Sequence, residues 1–282
     1  MSQEVTIVEV GPRDGLQNEP GFVPTQDKIA LIDQLSICGF SRIETTSFVS
    51  PRWVPQMADA KEVMRGISRK AGVTYSVLTP NLKGLEAALE ANADEVAIFA
   101  SASETFSQKN INCSIAESIQ RFRPVIEAAR AAGVAVRGYV SCVVECPYEG
   151  AVAPEAVARV TKDLLELGCY EVSLGETLGR GQAHRIATML DAVLEVASPS
   201  QLAGHYHDTN GQAEANIAVS LEKGIRVFDS AVSGLGGCPF APGAKGNVDT
   251  LKVHLLMQRL GYHTGLDAEQ LRIAERLTQH LR

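Results

Sequence analysis

Short runs rich in valine, isoleucine and leucine alternate with longer stretches whose apolar residues recur at helical spacing, and the alternation continues through the chain. The short runs predict strands at Val5–Val10, Arg42–Thr46, Val73–Leu78, Glu95–Ala100, Ala135–Val143, Glu171–Leu174, Leu202–His207 and Val227–Val232. The longer ones predict helices at Thr25–Cys38, Pro55–Ile67, Asn81–Ala91, Ile115–Ala132, Ala153–Leu167, Gln182–Val196 and Gln212–Lys223. Gly39, Gly133, Gly168 and Gly224 each stand just past one of these helices, where a stop is expected. Two further helices, near Thr250–Leu260 and Ala268–Leu281, finish the chain.

Eight strand–helix units with short connections predict a parallel sheet covered by helices, and their number points to a closed (β/α)8 TIM barrel with two extra C-terminal helices. No Pro/Gly/Ser-rich linker divides the chain, so residues 1–282 read as a single catalytic domain. An open doubly wound sheet is the alternative; no GxGxxG follows the first strand, yet sequence alone leaves it open.

Composition narrows the function. The chain has 282 residues and a net charge of −7, which is not the basic face of a nucleic-acid or membrane-surface binder. No apolar run approaches a membrane span, and the residues after Met1 carry neither a secretory nor a transit pattern, so a cytoplasmic protein is expected. Cys38, Cys113, Cys142, Cys146, Cys169 and Cys238 are spread too widely for a disulfide framework, and five of them read as buried free thiols. Apolar surface on the two final helices leaves room for a homodimer.

In a barrel, chemistry collects at the C-terminal ends of the strands. The first strand runs into Arg13 and Asp14. The seventh carries His205-Tyr206-His207, whose imidazoles share a face because strand residues two apart do. Asp14, His205, His207 and Asn247 together would supply two nitrogens and two oxygens, a set suited to Mg²⁺ or Mn²⁺, with Zn²⁺ or Co²⁺ also compatible. Glu44, ending the second strand, would orient Arg13 or a ligand, or else be a satisfied interior carboxylate. Glu176 in the sixth strand places another acid near the rim. The segment from Gly234 to Asn247 is glycine-rich and holds Cys238 between glycine and proline. It reads as a phosphate-binding loop or as a flap that brings a thiol to the substrate, and the catalytic flap is favoured.

Four segments carry a family resemblance: Val10–Glu19, Glu44–Met57, Cys146–Gly150 and Gly234–Phe240. The chain resembles the 3-hydroxy-3-methylglutaryl-CoA lyase family over nearly its whole length. The resemblance implies a metal bound by Asp14, His205, His207 and Asn247, and Arg13 stabilising an enolate oxygen. It also implies Cys238 in proton transfer, Glu44 as support, and Gln17 in the substrate-facing loop. The implied reaction is retro-Claisen cleavage of an acyl-CoA to acetyl-CoA and acetoacetate, a step of leucine degradation that needs no organic cofactor. Departures from the family pattern bear on the acyl group. Gly175-Glu176-Thr177 stands where the family carries Gly-Asp-Thr, and a longer acid is expected to shrink the pocket. Leu251 replaces a glutamate, with Asp249 two positions away, and Lys245 adds a cation. Citramalyl-CoA, giving acetyl-CoA and pyruvate, is the alternative substrate. A longer isoprenoid-type glutaryl-CoA, a Claisen synthase, a metal-dependent keto-acid aldolase and a non-catalytic barrel are the competing readings.

Overall fold

The computed structural model describes residues 3–238 and 241–281, without side chains at 237, 238 and 241–245. Eight parallel strands close into a barrel: β1 (Thr6–Glu9), β2 (Arg42–Ser47), β3 (Thr74–Leu78), β4 (Glu95–Ser101), β5 (Ala135–Ser141), β6 (Glu171–Glu176), β7 (Leu202–Tyr206) and β8 (Val227–Ser230). Each pairs with its neighbours in sequence, and β8 closes on β1 from Thr6↔Val227 to Glu9↔Ser230. The helices are α1 (Thr25–Ser36), α2 (Ala60–Gly66), α3 (Leu82–Glu90), α4 (Glu104–Ile111), α5 (Ile115–Ala131), α6 (Pro154–Leu167), α7 (Ala183–Leu194), α8 (Ala213–Glu222), α9 (Thr250–Arg259) and α10 (Ala268–Thr278). The closed barrel with two added C-terminal helices is the architecture that the alternation predicts.

Differences lie between the strands. α4 was not expected; Ser103 caps it by accepting from Phe106 N, and Asn112 ends it in the left-handed conformation. The helix expected over Pro55–Ile67 is a 3₁₀ turn, Pro55–Met57, followed by α2. Two small antiparallel hairpins decorate the rim, Glu145–Cys146 with Gly150–Ala151 and Gly237–Cys238 with Ala241–Lys245. No described helix is long and apolar enough to cross a membrane. On α9 and α10, Leu260 at the α9 C-cap is the one large apolar side chain exposed among the described residues. Leu271 and Ala274 are buried, so the expected apolar face on these helices is a packed one.

The strands sort their residues by alternation. Outward-facing residues join the main apolar core, between the barrel and the helices. Inside the barrel the apolar cluster is small, built on Leu78, Ala97 and Tyr139. The rest of the interior is ionic. Arg42 reaches Glu95 at 3.4 Å and Glu171 at 3.0 Å; Arg137 donates to Glu171 at 2.7 Å and to Asp229 at 2.8 Å. These groups start near the N-terminal ends of the strands and climb toward the catalytic rim. Buried pairs of this kind seldom add net stability, but losing one partner strands a charge at a cost of about 3–5 kcal/mol.

Candidate active site

Immediately past β1 the chain makes one wide turn, Gly11–Gly15, with Pro12 at its start. The Val10 carbonyl accepts from Arg13 N, Asp14 N and Gly15 N. Wide turns of this type gather at functional sites. This one carries Arg13 and Asp14 onto the barrel mouth.

Arg13 is held on two sides. Its Nε donates to Glu44 Oε2 at 2.6 Å and its Nη1 to Asp14 Oδ1 at 2.7 Å. The guanidinium also lies over the Tyr139 ring, 5.5 Å from the centroid. Burial opposes the Arg13 charge, but Glu44 and Asp14 outweigh it and raise the pKa above the ordinary arginine value. The residue expected to support the site, Glu44, is thus the partner of Arg13.

Asp14 is the hub of the mouth. Burial acts to raise its pKa, but Arg13, His205, His207 and a hydrogen bond from Asn247 bring it down to about 2. Asn247 Nδ2 donates to Asp14 Oδ2 at 2.8 Å, and Gln17 Nε2 to Asp14 Oδ1 at 3.3 Å. Gln17 therefore steadies the aspartate.

β7 delivers the two histidines. Their rings lie 5.5 Å apart between centroids, while Tyr206 points outward and bonds Ser220 on α8. His205 Nδ1 is 3.1 Å from Asp229 Oδ2, and its Nε2 faces Asp14 Oδ2 at 3.8 Å. Burial works to lower the His205 pKa, but Asp229 and Asp14 raise it. His207 lacks such a partner: burial, then the nearby His205, push it down to about 4, so it is neutral near pH 7. Its ring bonds the Thr177 backbone, and its Nδ1 is buried with no hydrogen-bond partner.

Asn247 arrives from the far end of the glycine-rich segment. Asp208 N bonds Gly246 O and Val248 N bonds Tyr206 O, so residues 246–248 pair with the end of β7 and set Asn247 opposite His207. The fit demands glycine at 246, where a Cβ would lie 1.9 Å from Gly236 O. Glu9, buried behind the mouth, ties the segment down. It accepts from Gly11 N, Val232 N and Thr250 Oγ1 at 2.7–2.9 Å, and desolvation nevertheless lifts its pKa to about 7. The side chain of Cys238 lies outside the described residues, as does that of Lys245.

The donors fit a divalent cation. Among the described residues, Asp14, His205 and His207 offer ligand atoms all within 4.8 Å of one another. The buried, partnerless His207 Nδ1 is the group such an ion would satisfy. Asn247 stands beside them through its bond to Asp14.

Glu176 corrects an expectation. Ser173 faces the barrel interior, where it bonds Asp229; Gly175 shares that face, and Glu176 has the opposite parity. Its side chain packs against Gly181, in the loop that follows β6. The longer acid therefore does not shrink the pocket. Leu251 is half-buried and packs against the apolar core, and Asp249 caps α9 by accepting from Lys252 N, so its carboxylate is engaged away from the mouth.

The HMGL-like family model matches residues 4–278. A mitochondrial hydroxymethylglutaryl-CoA lyase from Bos taurus is 57% identical over 269 residues, covering 95% of this chain and 83% of that protein. The chain belongs to the HMGL-like family. Within it, a 3-hydroxy-3-isohexenylglutaryl-CoA/hydroxymethylglutaryl-CoA lyase from Pseudomonas aeruginosa is 56% identical, over 96% of this chain and 90% of that one. The crystal structure of the HMG-CoA lyase from Brucella melitensis superposes with a TM-score of 0.98 at 65% identity, over 99% of both chains.

Four residues of this HMGL-like site escaped the sequence reading: Asp229, Arg137, Tyr139 and Glu9. Their signal was present, as a charge or hydroxyl inside an otherwise apolar strand. Reading it needs the strand's parity, and Glu9 faces outward whereas the other three face inward.

Proposed function

We propose that this protein is a carbon–carbon lyase that cleaves 3-hydroxy-3-methylglutaryl-CoA to acetyl-CoA and acetoacetate, using Mg²⁺ or Mn²⁺ held by Asp14, His205, His207 and Asn247. The observation that carries this reading is the convergence of Arg13, Asp14, His205 and His207 on one barrel mouth in a chain of the HMGL-like family. The cation, when bound, would supply Lewis acidity that lowers the pKa of the substrate's C3 hydroxyl, so that a general base can take its proton as the C3 carbonyl forms.

The remaining chemistry belongs to the side chains. As the C2–C3 bond breaks, negative charge collects on the thioester oxygen, and Arg13 meets it with a guanidinium already fixed by Glu44 and Asp14. Because those bonds exist before substrate arrives, little reorganisation is needed at the moment of reaction. Gln17 and Asn247 keep the Asp14 carboxylate from rotating. Cys238, in the glycine-rich segment, donates the proton that converts the enolate to the acetyl group.

A longer acyl chain is a second reading, favoured by the Pseudomonas aeruginosa relative, which is named as a lyase of both isohexenylglutaryl-CoA and methylglutaryl-CoA esters. The case for a shorter ester, citramalyl-CoA, loses its main support because Glu176 faces away from the mouth. The test is acetyl-CoA release by Mg²⁺-loaded protein from the methylglutaryl, isohexenylglutaryl and citramalyl esters. Fast cleavage of the first, lost in Cys238→Ala and Arg13→Ala, supports the proposal. No release from any ester overturns it in favour of a keto-acid aldolase.

A further inference from the structure

The ionic column inside the barrel meets the metal-binding mouth at one atom pair, His205 Nδ1 and Asp229 Oδ2. The Asp229 side chain has no exposed surface. Its Oδ2 also accepts from Ser173 Oγ at 2.7 Å, and its Oδ1 accepts from Arg137 Nη2 at 2.8 Å. A carboxylate paired with a guanidinium can only accept, so the hydrogen between it and His205 resides on Nδ1. A neutral imidazole protonated there keeps its lone pair on Nε2, the atom that faces Asp14.

We propose that Asp229 is a positioning residue: it sets the tautomer and rotation of His205, and so presents Nε2 to the divalent cation. The inference rests on the metal site proposed above. His207 shows the contrast, since its ring leans on the Thr177 backbone and leaves Nδ1 unpartnered. The two histidines therefore offer opposite ring nitrogens, one backed by a carboxylate and one by main chain. Partners of this kind change metal affinity by about 10–100-fold when removed.

Asparagine at 229 is the discriminating change. It has one oxygen and one NH₂ in place of two acceptors. Turned with its oxygen to Arg137, it points NH₂ at His205 and forces the proton onto Nε2, which removes the lone pair needed by the metal. Turned the other way, it points NH₂ at a guanidinium. The first orientation is the favoured one, and the wrong tautomer follows.

Two measurements test this, both without substrate. Nitrogen-15 NMR of the metal-free protein is expected to show His205 as the Nδ1–H tautomer in wild type and as Nε2–H in Asp229→Asn. Titration with Mn²⁺ alone, followed by the electron paramagnetic resonance of the free ion, is expected to give a Kd about 10–100-fold weaker in the variant. An Nε2–H tautomer in wild type overturns the proposal, and that result does not depend on the variant folding. An unchanged tautomer or an unchanged Kd in a folded Asp229→Asn also overturns it. Wild-type protein that binds no Mn²⁺ instead removes the metal site, and the proposed role with it.

Discussion

Arg13 Nε lies 2.6 Å from Glu44 Oε2, across 31 residues of sequence and with both side chains almost wholly buried. The pair joins the turn after β1 to the interior of β2 and fixes the plane of the guanidinium. Glu44→Gln keeps the shape but replaces a charged acceptor by a neutral one. The expected outcome is a fall in kcat of about 10–100-fold with a smaller change in KM, since removing one preorganised electrostatic group costs up to about 10²–10³ in rate. Steady-state kinetics check this; an unchanged kcat in folded protein would mean that Glu44 is only a core carboxylate.

Loading the site should stabilise the fold. An ion that binds only the native state at about 100 times its Kd contributes roughly 2.7 kcal/mol. For a chain of this size that corresponds to a rise in Tm of about 4–5 °C. Thermal unfolding with Mn²⁺ and after chelation would show it in wild type, and His207→Ala should lose the increment. Coincident curves in wild type would contradict the assigned ligands.

Glu9 predicts a pH effect whose sign follows from its burial. Its pKa is raised from 4.5 to about 7 in the fold, so the native state holds a proton that the unfolded chain releases. Stability from this group is full below about pH 4.5 and declines as pH rises toward 7. Between pH 5 and pH 8 the decline should be about 2–3 kcal/mol larger in wild type than in Glu9→Gln, as a shift of this size implies. Denaturant unfolding at the two pH values measures it; parallel losses in both proteins would refute the assignment.

Glu176→Asp restores the shorter acid at a position that faces the loop after β6. Because the side chain is on the outer face of the barrel, the ratio of kcat/KM between methylglutaryl-CoA and citramalyl-CoA should change less than about twofold, far below the roughly 10–200-fold that one methylene can decide within a pocket. A tenfold swing in that ratio would put residue 176 back among the determinants of substrate choice.

Much of this was legible in the chain. The eight-fold rhythm of apolar runs and the glycine stops specified a βα barrel, because each strand and helix must bury one face at its own period. The same periodicity put His205 and His207 on one face, with Tyr206 opposite. α4 was not legible, being held by Ser103 and Asn112 caps and having weak apolar spacing. The outward direction of Glu176 was missed although parity with Ser173 encodes it, because which parity faces inward is decided by the neighbouring strands.

Periodicity, motif and residue chemistry thus specified the architecture and the candidate ligands, since both depend on local patterning along one element. Only tertiary structure decided who partners whom. Closing the sheet brought Arg13 to Glu44, Asp229 to His205 and Asn247 to Asp14, pairs 24 to 233 residues apart. It also filled the barrel with charge where an apolar interior is usual. These contacts follow from strand register and from the return of residues 246–248 onto β7, and no local pattern in the chain encodes either.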